Sequence, residues 1–160
     1  MRFDHNLHDG ILIVSGDQRR SVWSSQLVLK GSRTLRTAGQ MTTTASRHTL
    51  QLLALTSALR SITRTQAAFL APRNQTNPRL LVTSIDSTFL NALRAKMPLR
   101  AGRNFFTLAA QQLARFDLTF ATPEDGDKTV LMLSNWAANH VYAPGSIPSV
   151  LLPVAVSQVI

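Results

Sequence analysis

Leu80-Leu81-Val82-Thr83-Ser84-Ile85-Asp86-Ser87-Thr88-Phe89 is the stretch on which the fold turns. Leu80 to Ile85 lacks the strict polar/apolar alternation of a strand with one wet face. It reads as a strand in the covered middle of a sheet. Asp86-Ser87 then supplies a helix cap, and a helix is expected to run to about residue 96, stopped near Pro98. A covered strand that passes straight into a helix needs crossover connections, and crossovers join parallel strands.

Upstream, Ile11 to Val14 is a short apolar run before Ser15-Gly16-Asp17. In residues 21–30, Val22, Ser24, Gln26 and Val28 alternate with Trp23, Ser25, Leu27 and Leu29, the pattern of a strand. A turn at Lys30-Gly31-Ser32 leads to a more polar strand over 33–40, so the three segments read as an antiparallel meander. The period then changes. Thr44-Ala45-Ser46 offers an N-cap, and a broad leucine stripe predicts a helix over 44–62. Residues 66–78, with two Pro and two Asn, read as a loop.

Downstream, the pattern gives a helix over 104–115, a strand over 116–121, a turn at Pro123-Glu124-Asp125-Gly126 and a helix over 128–141. The expected fold is α/β: one domain over 1–143 built on a mixed five-stranded sheet, three strands antiparallel plus two parallel, flanked by helices. The tail over 144–160 is apolar and holds three prolines, so it is not one long helix; it lies along the core or on a partner.

Composition narrows the functions. With 160 residues the chain is long enough for a real core, and without cysteine it needs no disulfide and has no thiol or zinc-ribbon chemistry. No apolar run is long enough to span a bilayer, and the polar start carries no signal-peptide core, so the expectation is an intracellular, reducing compartment and no membrane. Seventeen Lys and Arg face eight Asp and Glu, a net charge of +9. Fourteen of the cations are Arg, whose planar fork suits phosphate, which makes nucleic acid the leading partner class. There is no P-loop, dinucleotide-binding glycine fingerprint or Gly-x-Ser-x-Gly elbow.

The element order resembles that of ribonuclease H, and residues match it in sequence order. Asp17 ends the first strand, and Ala45-Ser46-Arg47-His48-Thr49-Leu50 resembles the lead-in to that family's first helix. Asp86-Ser87-Thr88-Phe89 looks like its Asp-Ser-x-Tyr/Phe, and Ser134-Asn135-Trp136-Ala137-Ala138 resembles its last-helix motif. The short path from first strand to first helix looks like the retroelement branch. The resemblance implies two Mg²⁺ about 4 Å apart, held by four carboxylates and clamping water and leaving oxygen. Here only Asp17 and Asp86 remain, because Thr49 and Asn135 stand where the family has Glu and Asp. Two carboxylates imply weak Mg²⁺ or Mn²⁺ binding at most, with Asp125 as a loop acid that could add charge.

Among other residues, Asp9-Gly10 reads as a surface turn, His5 and His8 as exposed side chains of the N-terminus, Met97 and Met132 as core fillers, and Trp23 and Trp136 as packing. For polynucleotide contact the sequence offers Arg19, Arg20, Arg33, Arg36, Arg47, Arg94, Lys96, Arg100 and Arg103, with Thr42, Thr43, Thr44, Ser46 and Asn104 as phosphate or 2′-OH partners. Three functions stay open. One is a degenerate ribonuclease H-like module that binds RNA or an RNA–DNA hybrid, or serves as a structural part of a replication or ribonucleoprotein machine. Another is an active Mg²⁺-dependent endoribonuclease cutting RNA in hybrids. The last is a protein-interaction module that docks on a larger polyprotein or complex through its C-terminal tail.

Overall fold

Alternation along β1 (Gly10–Asp17) sorts the interior into two layers. Leu12 and Val14 face one helix layer, and Ile11 and Ile13 face the other. The computed structural model describes residues 7–30, 34–41, 44–62, 77–95, 112–123, 128–141 and 154–159. Most of the expected loop over 66–78 and of the expected helix over 104–115 lies outside these residues. So do His5, Arg33, Thr42, Thr43, Lys96, Met97, Arg100, Arg103, Asn104 and Asp125.

The meander forms as read: β1 pairs antiparallel with β2 (Val22–Leu29), and β2 with β3 (Thr34–Gln40). On the other side of β1, β4 (Arg79–Thr83) and then β5 (Asp117–Ala121) run parallel to it. These five strands stand in the order β5-β4-β1-β2-β3, the mixed sheet expected from the sequence. A sixth strand, β6 (Val154–Val159), was not expected. It pairs antiparallel with β3, from Leu35 opposite Val159 to Gln40 opposite Val154, so part of the tail extends the sheet within the chain.

Helix α1 (Arg47–Ser61) starts at the Ser46 cap, whose Oγ accepts the Thr49 N–H at 3.1 Å. Beyond the exposed Arg47, four consecutive residues, Thr49 to Leu52, are buried, so the helix is covered on every side there. It packs on the sheet, and Phe89, Leu90 and Leu93 of α2 (Ser87–Arg94) join the same core as its Leu50, Leu55 and Leu59. The opposite sheet face is covered by α3 (Lys128–Val141). Val130 and Leu133 rest on Ile11 and Ile13, and Ala137 packs against Val22 and Ala38. Met132 is exposed on α3 and fills no core.

Trp23 is core packing, and it needs a glycine opposite. A Cβ on Gly39 would sit 2.4 Å from the Trp23 ring. Gly39→Val should therefore destabilise the fold by about 1–3 kcal/mol, read as a lower urea midpoint.

Asp9 is not a surface turn. It is 1 % exposed, and its carboxylate accepts the Arg79 backbone N–H at 2.8 Å and the guanidinium at 3.3 Å. Its own N–H donates to the Arg79 carbonyl at 2.7 Å, and its carbonyl accepts from Lys30 N at 2.9 Å. This clamp joins the starts of β1 and β4 to the end of β2, at the opposite end of the sheet from Asp17.

Candidate functional site

In open α/β sheets, ligands gather beyond the C-terminal ends of the parallel strands. Here β1 and β4 pair as far as Ile13 opposite Thr83, and β1 runs on to Asp17. Counting on in that register brings Gly16 level with Asp86. Gly16 faces α1 so tightly that a Cβ would lie 2.9 Å from Leu50 Cβ and 3.0 Å from the Arg47 carbonyl. No carboxylate fits there. Asp17, the next residue, is carried by alternation to the face that α3 covers.

Asp86 belongs to the α1 face. Its Oδ2 accepts from His48 Nε2 and Gln51 Nε2, both at 3.1 Å, and its Oδ1 accepts the Phe89 N–H at 3.1 Å as the cap of α2. Ser84 completes the cluster: its hydroxyl donates to Gln51 Oε1 and accepts the Asp86 N–H. A metal site shared by Asp17 and Asp86 needs their carboxylates on one face of the sheet. They close neighbouring strands, but one residue of offset puts them on opposite faces of the sheet.

Thr49 does not face Asp86 either. It is buried at the start of α1, with its hydroxyl against Ser46 Oγ at 3.0 Å. Asn135 is exposed on α3 and shares a groove with Asp17. The residues that reach Asp86 are His48 and Gln51, which the sequence reading missed. The available signal was chemical: Gln51 is a lone amide in a leucine-rich stripe, and Ser84 is a hydroxyl in an apolar strand.

These residues do not fit a pair of Mg²⁺ ions. Two dications close together need several carboxylate oxygens converging on one centre to offset their charge. The Asp86 carboxylate is committed to three donors and its side chain is 10 % exposed. Asp17 accepts the Arg20 N–H at 3.3 Å and lies 3.9 Å from its guanidinium. Among the described residues, no three His, Asp or Glu gather as a ligand set.

The groove at this end has a volume of about 550 Å³. One wall is the β1–β2 hairpin, with Arg19 and Arg20. Asp17 holds that hairpin through the Arg20 N–H, and Ser21 closes it in the left-handed region at φ 54. A second wall is the first turn of α1, where Arg47 is exposed. Arg47 opposes the helix dipole there, and α1 has no acidic residue in its first turn. The third wall is α3, with Leu131, Ser134 and Asn135; Ile85 lies between the walls. Among the described residues of the groove, three guanidinium groups and one carboxylate leave a formal charge of +2.

Arg94 is elsewhere. It is tied to Asn91 Oδ1 at 2.6 Å and to the Phe120 carbonyl at 2.9 Å, beside a cleft of about 1160 Å³ between α2 and β5. That cleft is the larger of the two, but it lies away from the ends of β1 and β4 and is lined mainly by apolar groups. Arg36 also lies apart, over the Trp136 ring at 5.7 Å and bonded to Gln26.

The fold and groove define a class: an α/β protein with a mixed sheet and a basic groove at the ends of its parallel strands. No family model matches the chain, and no curated protein matches it. Among the described residues no helix is long and apolar enough to cross a membrane.

Proposed function

We propose that this chain is a ribonuclease H-like domain with a degenerate site, which binds nucleic acid through the groove between the β1–β2 hairpin, α1 and α3. The strand order, with its antiparallel meander and two parallel strands, supports the fold assignment. One observation carries the function: Arg19, Arg20 and Arg47 converge on a groove to which the described residues bring a single carboxylate. An arginine at the start of a helix runs against local preference, and such violations concentrate where function requires them. This charge supports polyanion binding, and the described residues gather no ligand set for metal-dependent cleavage.

The test is a titration of labelled hybrid, duplex RNA and single strand at several salt concentrations without divalent ions. Binding through three arginines should weaken with salt, with a log–log slope of about −2 to −3. Arg19→Ala with Arg47→Ala should flatten that slope by about two units and weaken all sequences alike, because phosphate contacts carry no base information. Salt-insensitive or undetectable binding of all three nucleic acids would sink the proposal.

Hybrid cleavage in Mg²⁺ or Mn²⁺ is expected to stay at background. Thr49→Glu with Asn135→Asp should not raise it, because those positions lie on helices packed on opposite faces of the sheet. A gain in turnover from that pair would contradict the geometry.

A further inference from the structure

Phosphate binding explains the arginines of the groove, but not its apolar residues. Ile85 is 46 % exposed and Leu131 is 50 % exposed, and both line the same groove as Arg19 and Arg47. Among the described residues only four large hydrophobic side chains are this exposed, so half of them meet at one place. Their positions are supplied by different elements, the β4–α2 connection and α3, which converge only in the folded chain. Exposed apolar groups that cluster beside charge mark a ligand with both characters.

Resting on the nucleic-acid reading, we propose that the groove takes a single strand, with its phosphates on Arg19 and Arg47 and its unpaired bases against Ile85 and Leu131. An unpaired nucleotide has this dual chemistry: an anionic phosphate at one end and a flat, poorly hydrated base at the other. A duplex stacks its base faces inside and offers only base edges in its grooves, so Ile85 and Leu131 would meet no base face. Size points the same way. About 550 Å³ is within the range of small-molecule sites, room for one or two nucleotides and far too little for a double helix. The same face of α3 carries Asn135, one turn from Leu131, whose exposed amide can donate to and accept from a base edge. Aliphatic contact is less favourable than aromatic stacking, which contributes about 1–3 kcal/mol per base, so modest effects are expected from each residue.

The experiment is anisotropy titration of the full chain with a short labelled single strand and with the same strand paired, at low salt and without divalent ions. The single strand should bind about tenfold or more tighter than the duplex. Ile85→Ser and Leu131→Ser should each weaken single-strand binding about three- to tenfold while leaving the salt slope unchanged, the reverse of the arginine changes. Both residues are about half exposed, so a thermal melt should show the serine variants folded. Equal affinity for single strand and duplex, or serine variants that bind like the parent, would overturn this inference and leave salt-dependent binding standing. Tighter, Leu131-dependent binding of an acidic leucine-containing peptide than of the strand would also overturn it, in favour of a protein partner. Loss of all salt-sensitive nucleic-acid binding would instead remove the underlying reading.

Discussion

Asp9→Ala is expected to destabilise the protein by about 3 kcal/mol, the low end of the range for stripping one partner from a buried ion pair. Asp9 is 1 % exposed, while the Arg79 side chain is 27 % exposed and keeps some access to water, which limits the loss. The change also leaves the Arg79 backbone N–H without its carboxylate acceptor, at the point where β4 enters the sheet. Urea denaturation should show the midpoint falling with the slope unchanged. Asp9→Asn should be milder, since an amide oxygen still accepts the backbone N–H. A loss below about 1 kcal/mol would mean that the clamp is no more than a surface salt bridge.

The second large effect separates two carboxylates that a metal site would treat alike. Asp86→Ala removes the cap of α2 and leaves His48 Nε2 and the Gln51 amide without their shared acceptor. A lost cap together with unsatisfied part-buried donors should destabilise by about 2–3 kcal/mol. Asp17→Ala loses a hydrogen bond to Arg20 on a hairpin open to solvent, which should cost below about 1 kcal/mol. It also removes the only carboxylate that the described residues bring to the groove, so single-strand binding should tighten severalfold at low salt. Denaturation and anisotropy on the two variants check this together. Equal damage to stability from both, or weaker binding by Asp17→Ala, would contradict the assignment of Asp86 to architecture and Asp17 to the groove.

Much of the architecture was legible because it follows local rules. The alternation of Val22 to Leu29, the leucine stripe of α1, the run from Leu80 and the Asp86 cap are set by residues within a few positions of one another. Arg19, Arg20 and Arg47 were also legible as groove residues, since a hairpin tip and a helix start at one sheet end must lie close. Arg94 lies away from that groove, which the sequence leaves open because it says where a cation sits in the chain and not which strand edge its helix packs on.

What the sequence determined by itself is the order of elements, the mixed sheet and the poverty of acids against arginines. Only the tertiary structure decided how the acids are used. Strand side chains alternate with a period of two, so the single step from Gly16 to Asp17 selects a face of the sheet. That selection shows only when α1 is seen pressed against Gly16. The burial of Asp9 depends on Arg79, seventy residues away. The fate of the tail depends on the open edge of β3, to which β6 returns. Pairings at such separation are chosen by which polar groups and strand edges the whole chain leaves unsatisfied, and no local window of sequence contains that information.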